Sequence, residues 1–241
     1  MSDRFVLQVK MRYNTVMEYL YETHMHTEEV SACARASGAK QAAVYKKMGY
    51  TGIIVTDHFI NGYTTCPKNL PWEERMRFFA SGYDEAKKAG DKLGLDVFFG
   101  WEFTIRGSDF LTYGLDLNFL IANPGLDRLE IDKYSELVRN SGGYLAQAHP
   151  YRDEYYIDHP YPVKPCYIDG VEVYNVMDRS ESNSKALEFA EKNNLPKQAG
   201  TDAHGRGNKL YSGVSLKQKA ESIHDIINAI KSGEATPLKR K

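Results

Sequence analysis

The chain of 241 residues carries 31 Lys and Arg against 32 Asp and Glu, a formal net charge of −1, and 42% of its residues are hydrophobic. Such a composition excludes wholesale disorder, and the charge balance argues against a protein that coats nucleic acid or an anionic membrane by bulk electrostatics. Cys33, Cys66 and Cys166 are odd in number, widely spaced and form no CxxC pair. A disulfide framework is therefore not expected, and a reducing, cytoplasmic compartment is. No run approaches the ~20 apolar residues of a membrane span. The opening stretch is broken by Gln8, Lys10 and Arg12, so no secretory segment is expected there.

Along the chain, apolar runs rich in β-branched and aromatic residues predict strands at Val16–Tyr21, Gly52–Thr56, Leu95–Trp101, Leu115–Ala122, Tyr144–Ala148, Gly170–Tyr174 and Lys197–Thr201. Helical spacing falls between them at Ala39–Met48, Trp72–Leu93, Asp132–Asn140, Ser184–Asn193 and Glu221–Lys231. Pro71 ahead of Glu73 and Glu74 reads as a helix start, and Gly49 and Gly94 read as helix stops. Short strands separated by helices imply βαβ units and a parallel sheet, either a barrel or doubly wound. No linker interrupts the pattern, so a single domain over residues 1–241 is expected.

In parallel α/β folds ligands bind beyond the C-terminal ends of the strands. Five of the seven histidines fall at such ends: His24 and His26, His58, His149 and His204. Glu102 and Asp202 share that placement, and Asp57 precedes His58. In His24–Met25–His26 the period-two alternation of a strand puts both imidazoles on one face. Burying so many polar groups unpaired would be costly. Convergent His and carboxylate side chains are the ligand set of divalent transition metals.

The motifs His24–Met25–His26–Thr27, Thr56–Asp57–His58, Gly100–Trp101–Glu102, Ala148–His149–Pro150 and Gly200–Thr201–Asp202–Ala203–His204 resemble, in order, those of the PHP (polymerase and histidinol phosphatase) superfamily. The resemblance extends over roughly residues 18–207. It implies a distorted seven-stranded (β/α)7 barrel with two or three divalent ions (Zn, Mn or Fe) at the C-terminal mouth of its strands. By position, His24, His26, Glu102 and Asp202 would hold one ion. Glu102 would bridge to a second that also takes His149, and His58 and His204 would belong to a third.

Two departures stand out. Relatives place a further histidine on the strand after the glutamate, where this chain offers Asn118 within Leu115–Ala122. They also place a His or Asp shortly after the HxHT motif, where this chain offers Glu28, Glu29 or Cys33.

The implied activity is metal-dependent hydrolysis of a phosphate ester, a small phosphomonoester such as histidinol phosphate or a nucleotide. A divalent ion lowers the pKa of water from about 15.7 towards 7, and two ions roughly 3.5–4 Å apart polarise a phosphoryl group. His204, His58 or Asp57 is the expected source of the leaving-group proton. Arg152 and Arg206 are the expected phosphate grips, with Arg106 and Lys209 behind them. The Tyr- and Pro-rich stretch Tyr151–Tyr167 is expected to overhang the mouth. The competing readings are an exonuclease or nucleotide phosphoesterase, a degenerate non-catalytic metal-binding module, and an amidohydrolase. No membrane and no long duplex nucleic acid are expected as partners.

Overall fold

Strand β1 (Tyr19–Glu22) pairs in parallel with β2 (Gly52–Val55), and β2 with β3 (Asp96–Ile105). These relationships come from a computed structural model, which describes residues 18–154, 157, 160–205 and 211–239. β3 turns back into β4 (Ser108–Tyr113), which runs antiparallel to both β3 and β5 (Tyr144–Gln147). β5, β6 (Gly170–Asn175) and β7 (Lys197–Gly200) are again parallel neighbours. On the other side of β1, β8 (Gly213–Leu216) and β9 (Thr236–Leu238) add an antiparallel pair. The ladder runs from β7 through β1 to β8 and β9, and β8 and β9 come back alongside β7. The result is a nearly closed, distorted α/β barrel.

Helices α1 (Gly38–Lys47), α2 (Trp72–Phe79), α3 (Ser81–Leu93), α4 (Leu117–Ala122), α5 (Ile131–Asn140), α6 (Ser180–Lys192) and α7 (Ile223–Ser232) link or flank the strands. Their ends follow local chemistry. The Ser37 hydroxyl accepts from Lys40 N at the start of α1, and Ser222 and Asp225 form a reciprocal capping box on α7. Gly94 and Gly233 close α3 and α7 in the left-handed conformation.

Six of the seven expected strands are present, and the seventh is corrected. Leu115–Ala122 contains helix α4, started by Asp116, whose carboxylate accepts from Phe119 N at 2.9 Å. An apolar run this short reads equally as strand or helix. Three strands were not expected, β4, β8 and β9; β4 is joined to β3 through Arg106 (φ 50°) and Gly107 (φ 81°), a pair of left-handed residues suited to a tight hairpin. The helix expected over Trp72–Leu93 resets at Ala80, giving α2 and α3.

Aromatic packing sets which side of β3 faces inward. Trp101 and Phe103 are fully buried, and Trp101 Nε1 donates to the Tyr134 hydroxyl of α5 at 2.6 Å. The alternation of the strand then turns Glu102, between them, to the opposite face. Met25 does the same for the HxH pair: it packs with Ile53 and Val55, which turns His24 and His26 the other way.

A candidate metal centre at the barrel mouth

Glu22, His24, His26, Glu102, Glu172 and Asp202 are each at most 2% exposed, and all lie at or just beyond the mouth ends of β1, β3, β6 and β7. The extension of β1 is fixed by Asp202 N donating to His24 O (2.7 Å) and His26 N donating to Ala203 O (2.9 Å). Glu22 Oε1 accepts from the backbone N–H groups of Thr23, His24 and Thr201 and so ties the ends of β1 and β7 together. Burial pushes the Glu22 carboxyl up to about 7.

The outer nitrogens of the histidines are committed. His24 Nδ1 lies 2.9 Å from Glu172 Oε1, and a carboxylate can only accept, so Nδ1 carries the hydrogen. His26 Nδ1 lies 3.1 Å from Ser31 Oγ, whose own hydrogen goes to Asp57 Oδ1 at 2.7 Å. His204 Nδ1 donates to the Asp202 carbonyl at 2.8 Å. In the neutral rings each Nε2 is left with a bare lone pair, the arrangement that metal-binding histidines use.

The two Nε2 atoms of His24 and His26 are 3.3 Å apart. Glu102 Oε1 is 3.2 Å from His24 Nε2, and Glu102 Oε2 is 3.6 Å from His26 Nε2. Asp202 Oδ1 is 3.1 Å from His26 Nε2 and 3.5 Å from His24 Nε2. Ligand separations of ~3.3 Å are the edges of a tetrahedral centre with ligand distances of about 2.0–2.1 Å. Burial pulls the His24 pKa down, yet the carboxylates of Glu172, Asp202 and Glu102 outweigh it and hold it well above its ordinary value. His26 is held well below by burial and by His204 and His58. The acids thus demand a positive charge where the Nε2 atoms meet. A divalent cation satisfies that demand for both rings together.

Glu102 is shared with a second group. Its Oε1 is 3.1 Å from His149 Nε2, and ligand atoms of Glu102, Asp109 and His149 all lie within 4.8 Å of one another. Asp109 was not foreseen. It is the second residue of β4, and because β4 runs antiparallel, its first residues, not its last, stand at the mouth. Thr104 Oγ1 donates to Asp109 Oδ1 at 2.6 Å, and burial together with the Glu102 charge raises the Asp109 pKa.

His58 and His204 form the outer edge, with side chains 16% and 20% exposed. His58 Nδ1 is 2.7 Å from Glu102 Oε2, but the contact is off-axis, and neither atom has a hydrogen-bond partner among the described residues. Cys33 adjoins both rings. Burial pushes its thiol up, but the neighbouring His204 and His58 outweigh this and bring it down to about 7.

Other expected residues fall elsewhere. Asn118 is exposed on α4, bonded to Asp116, and does not join the cluster. Asp57 is 2% exposed and accepts from Thr27 N, Thr27 Oγ1 and Ser31 Oγ, so it braces the HxHT loop and is not a proton donor at the mouth. Arg152 is turned inward: Nε donates to Asp178 Oδ1 at 2.7 Å and Nη2 lies 2.7 Å from Asp202 Oδ2. Arg106 is an exposed partner of Glu130. Arg206 and Lys209 lie outside the described residues. In the Tyr151–Tyr167 stretch, Tyr151 and Val163 pack on the core while Tyr161 is 67% exposed.

Two site residues sit in strained backbone. His149 (φ 28°) and Asp202 (φ 53°) adopt positive φ without being glycine, which costs about 1–3 kcal/mol each and clusters at functional sites.

These features define an α/β barrel with a candidate metal centre at its mouth. Residues 180–235, which include Asp202 and His204, match the PHP-associated family. A two-domain protein from Bacteroides vulgatus, containing an inferred PHP-like metal-dependent phosphoesterase, superposes with a TM-score of 0.69 at 16% identity over 92% of this chain. The chain spans 65% of that protein's length. An inferred metal-dependent phosphoesterase from Bifidobacterium adolescentis gives 0.57 at 15% identity, covering 87% of this chain and 94% of the other. An amidohydrolase from Chromobacterium violaceum, solved with sulfate and no metal, gives 0.56 at 13% identity over 87% and 96%. No curated protein sequence matches. The chain thus resembles the PHP-associated family over residues 180–235 and shares its fold with these solved structures. Among the described residues, no helix is long and apolar enough to cross a membrane.

Proposed function

We propose that the protein hydrolyses a phosphate ester with two or three divalent ions held at the barrel mouth. The observation that carries this reading is the buried sharing of Glu102 between His24 and His149, at 3.2 and 3.1 Å. One carboxylate facing two histidine groups suits a bridging ligand of a multinuclear centre. His24, His26, Glu102 and Asp202 would hold one ion, and Glu102, Asp109 and His149 a second. His58 and His204 would serve an outer site.

Such ions, when bound, supply Lewis acidity toward a phosphoryl group and activation of water. The chain's own residues do the rest. Glu172 and Ser31 fix the His24 and His26 rings. Arg152 holds Asp202, so its role as a phosphate grip requires it to leave that pair. Arg206, two residues after His204 in the sequence, remains a proposed grip. The rim histidines His58 and His204, the partly exposed members of the cluster, would act as ligands or as proton donors to the leaving group. The substrate class is a small phosphomonoester, such as histidinol phosphate or a nucleotide.

The test is a phosphate-release screen over histidinol phosphate, nucleotides and sugar phosphates. Release that depends on Zn, Mn or Fe and stops on chelation supports the reading. Absence of metal dependence contradicts it.

A further inference from the structure

We infer that a cavity flanking the mouth, on the His58 side, is an oxyanion subsite for a second phosphate or carboxylate carried by the substrate. Its part in substrate binding rests on the phosphoesterase reading above, whereas the binding of an oxyanion there does not.

The cavity measures about 580 Å³, and its lining includes Asn61, Gly62, Tyr63, Lys68, Arg75 and Asp127. That volume suits a small ligand. One wall is the segment that follows β2 and His58, and it is tied to the centre. A Cβ added at Gly62 would meet Thr104 Oγ1 at 2.9 Å and His58 Cβ at 3.3 Å, so Gly62 borders both the cavity and His58. Asn61 Nδ2 donates to Thr104 O at 2.7 Å, and Thr104 Oγ1 in turn donates to Asp109 Oδ1. Tyr63 O accepts from Ala32 N in the loop after the HxH motif.

Two cations of this lining lack acids. Arg75 has none within helical reach, because the residues three and four positions away are Pro71, Trp72, Phe78 and Phe79. The nearby Glu73 pairs instead with Arg77, at 2.7 Å. Arg75 is half-buried, and its Nε is shielded from water with no hydrogen-bond partner among the described residues. Arg77, Arg106 and Lys133 are each matched by a glutamate, whereas neither Arg75 nor Lys68 has an ion-pair partner among the described residues. Asp127, the one acid in the lining, pairs with neither.

A guanidinium dehydrated along one edge and left without a partner is costly, and an anion beside it offsets that cost. The guanidinium fork fits two oxygens of a phosphate or carboxylate, and the Lys68 ammonium adds a point charge. Tyr63, 66% exposed, adds an aromatic surface to the same lining for the carbon skeleton that joins the two anions. Esters that carry a second anionic group are therefore the preferred substrates.

The test has a binding arm and a turnover arm, both on the full-length protein. In the first, inorganic phosphate is titrated calorimetrically with chelator present, which keeps metal out of the centre. The wild type is expected to bind, and Arg75→Gln and Lys68→Gln are each expected to weaken binding by about 10-fold or more. Arg77→Gln, on the same helix but already paired, is expected to leave it unchanged. No binding by the wild type, unaltered binding in both variants, or an equal loss in Arg77→Gln overturns the inference and leaves the metal-dependent reading standing. In the second arm, alkanediol bisphosphates and phosphorylated hydroxy acids of graded length are compared with alkyl monophosphates. A lower KM for one dianionic series is expected, and that series identifies the second group as phosphate or carboxylate. The preference is expected to disappear in Arg75→Gln. Equal KM across the three series overturns the substrate role. Phosphate binding that depends on Arg75, with no turnover of any ester, supports the oxyanion site and contradicts the phosphoesterase reading.

Discussion

Arg152 reaches Asp202 Oδ2 at 2.7 Å while Asp202 Oδ1 faces His26 Nε2 at 3.1 Å, so the two oxygens of one buried carboxylate serve opposite purposes. The guanidinium also donates to Asp178, which is 4% exposed. Burial works against the charged guanidinium, but Asp202 and Asp178 outweigh it and hold Arg152 well above its ordinary pKa. Arg152→Met removes the shared cation and strands two buried carboxylates. Breaking a buried pair in this way costs about 3–5 kcal/mol. Chemical denaturation checks the value, and an unchanged midpoint contradicts the pairing. Arg152→Lys keeps the charge but loses the planar fork, so an intermediate loss is expected.

Glu172 holds the His24 ring through Nδ1 and also accepts from His149 N and Asn175 Nδ2. Glu172→Gln weakens that hold while nearly preserving shape. Loss of such a supporting carboxylate lowers metal affinity by about 10–100-fold. Calorimetric zinc titration of the two proteins measures it.

Asp109→Ala removes a ligand from the Glu102–His149 group and leaves the HxH group intact. Metal analysis is expected to show about one ion fewer per chain, with the fold retained. An unchanged metal count would take Asp109 out of the centre.

At Gly200 an added Cβ would run into His24 and Glu172 Oε1, so the closeness of β7 to the HxH segment requires glycine. Gly200→Ala is expected to cost about 1–3 kcal/mol through overpacking and to weaken metal binding with it. Thermal unfolding with and without zinc separates the two effects.

Stability should fall in alkali. Burial raises the pKa of Tyr45, Tyr50, Tyr113, Tyr134 and Tyr144, and raises Tyr21 to about 12. Above the unfolded tyrosine pKa of about 10, the unfolded chain loses protons that the folded chain keeps, so the unfolding free energy declines as pH rises. Urea midpoints at pH 8 and above pH 10 are expected to show that decline. A flat profile contradicts it.

Much of this centre is legible in the sequence because its histidines follow apolar runs at the ends of parallel strands, where side-chain alternation fixes their face. Asp109 was not, because its strand runs the other way and brings its first residues to the mouth. Reading the strand after Glu102 at Leu115–Ala122 pointed instead to Asn118, on a helix started by Asp116. Glu22 directly follows one apolar run and Glu172 sits inside another, and only the assembled barrel reveals that they brace the HxH segment. Arg152 read as a free loop cation because nothing in its neighbourhood along the chain foretells Asp178 or Asp202. Those partners arrive from the loops after β6 and β7.

The most direct test of the central claim is metal content measured alongside phosphate release in the wild type and in Glu102→Ala. The account predicts about two or more ions per chain in the wild type, and a loss of both metal and activity, the latter by more than about 100-fold, in the variant. Full phosphate release from metal-free protein, or from Glu102→Ala, would contradict it.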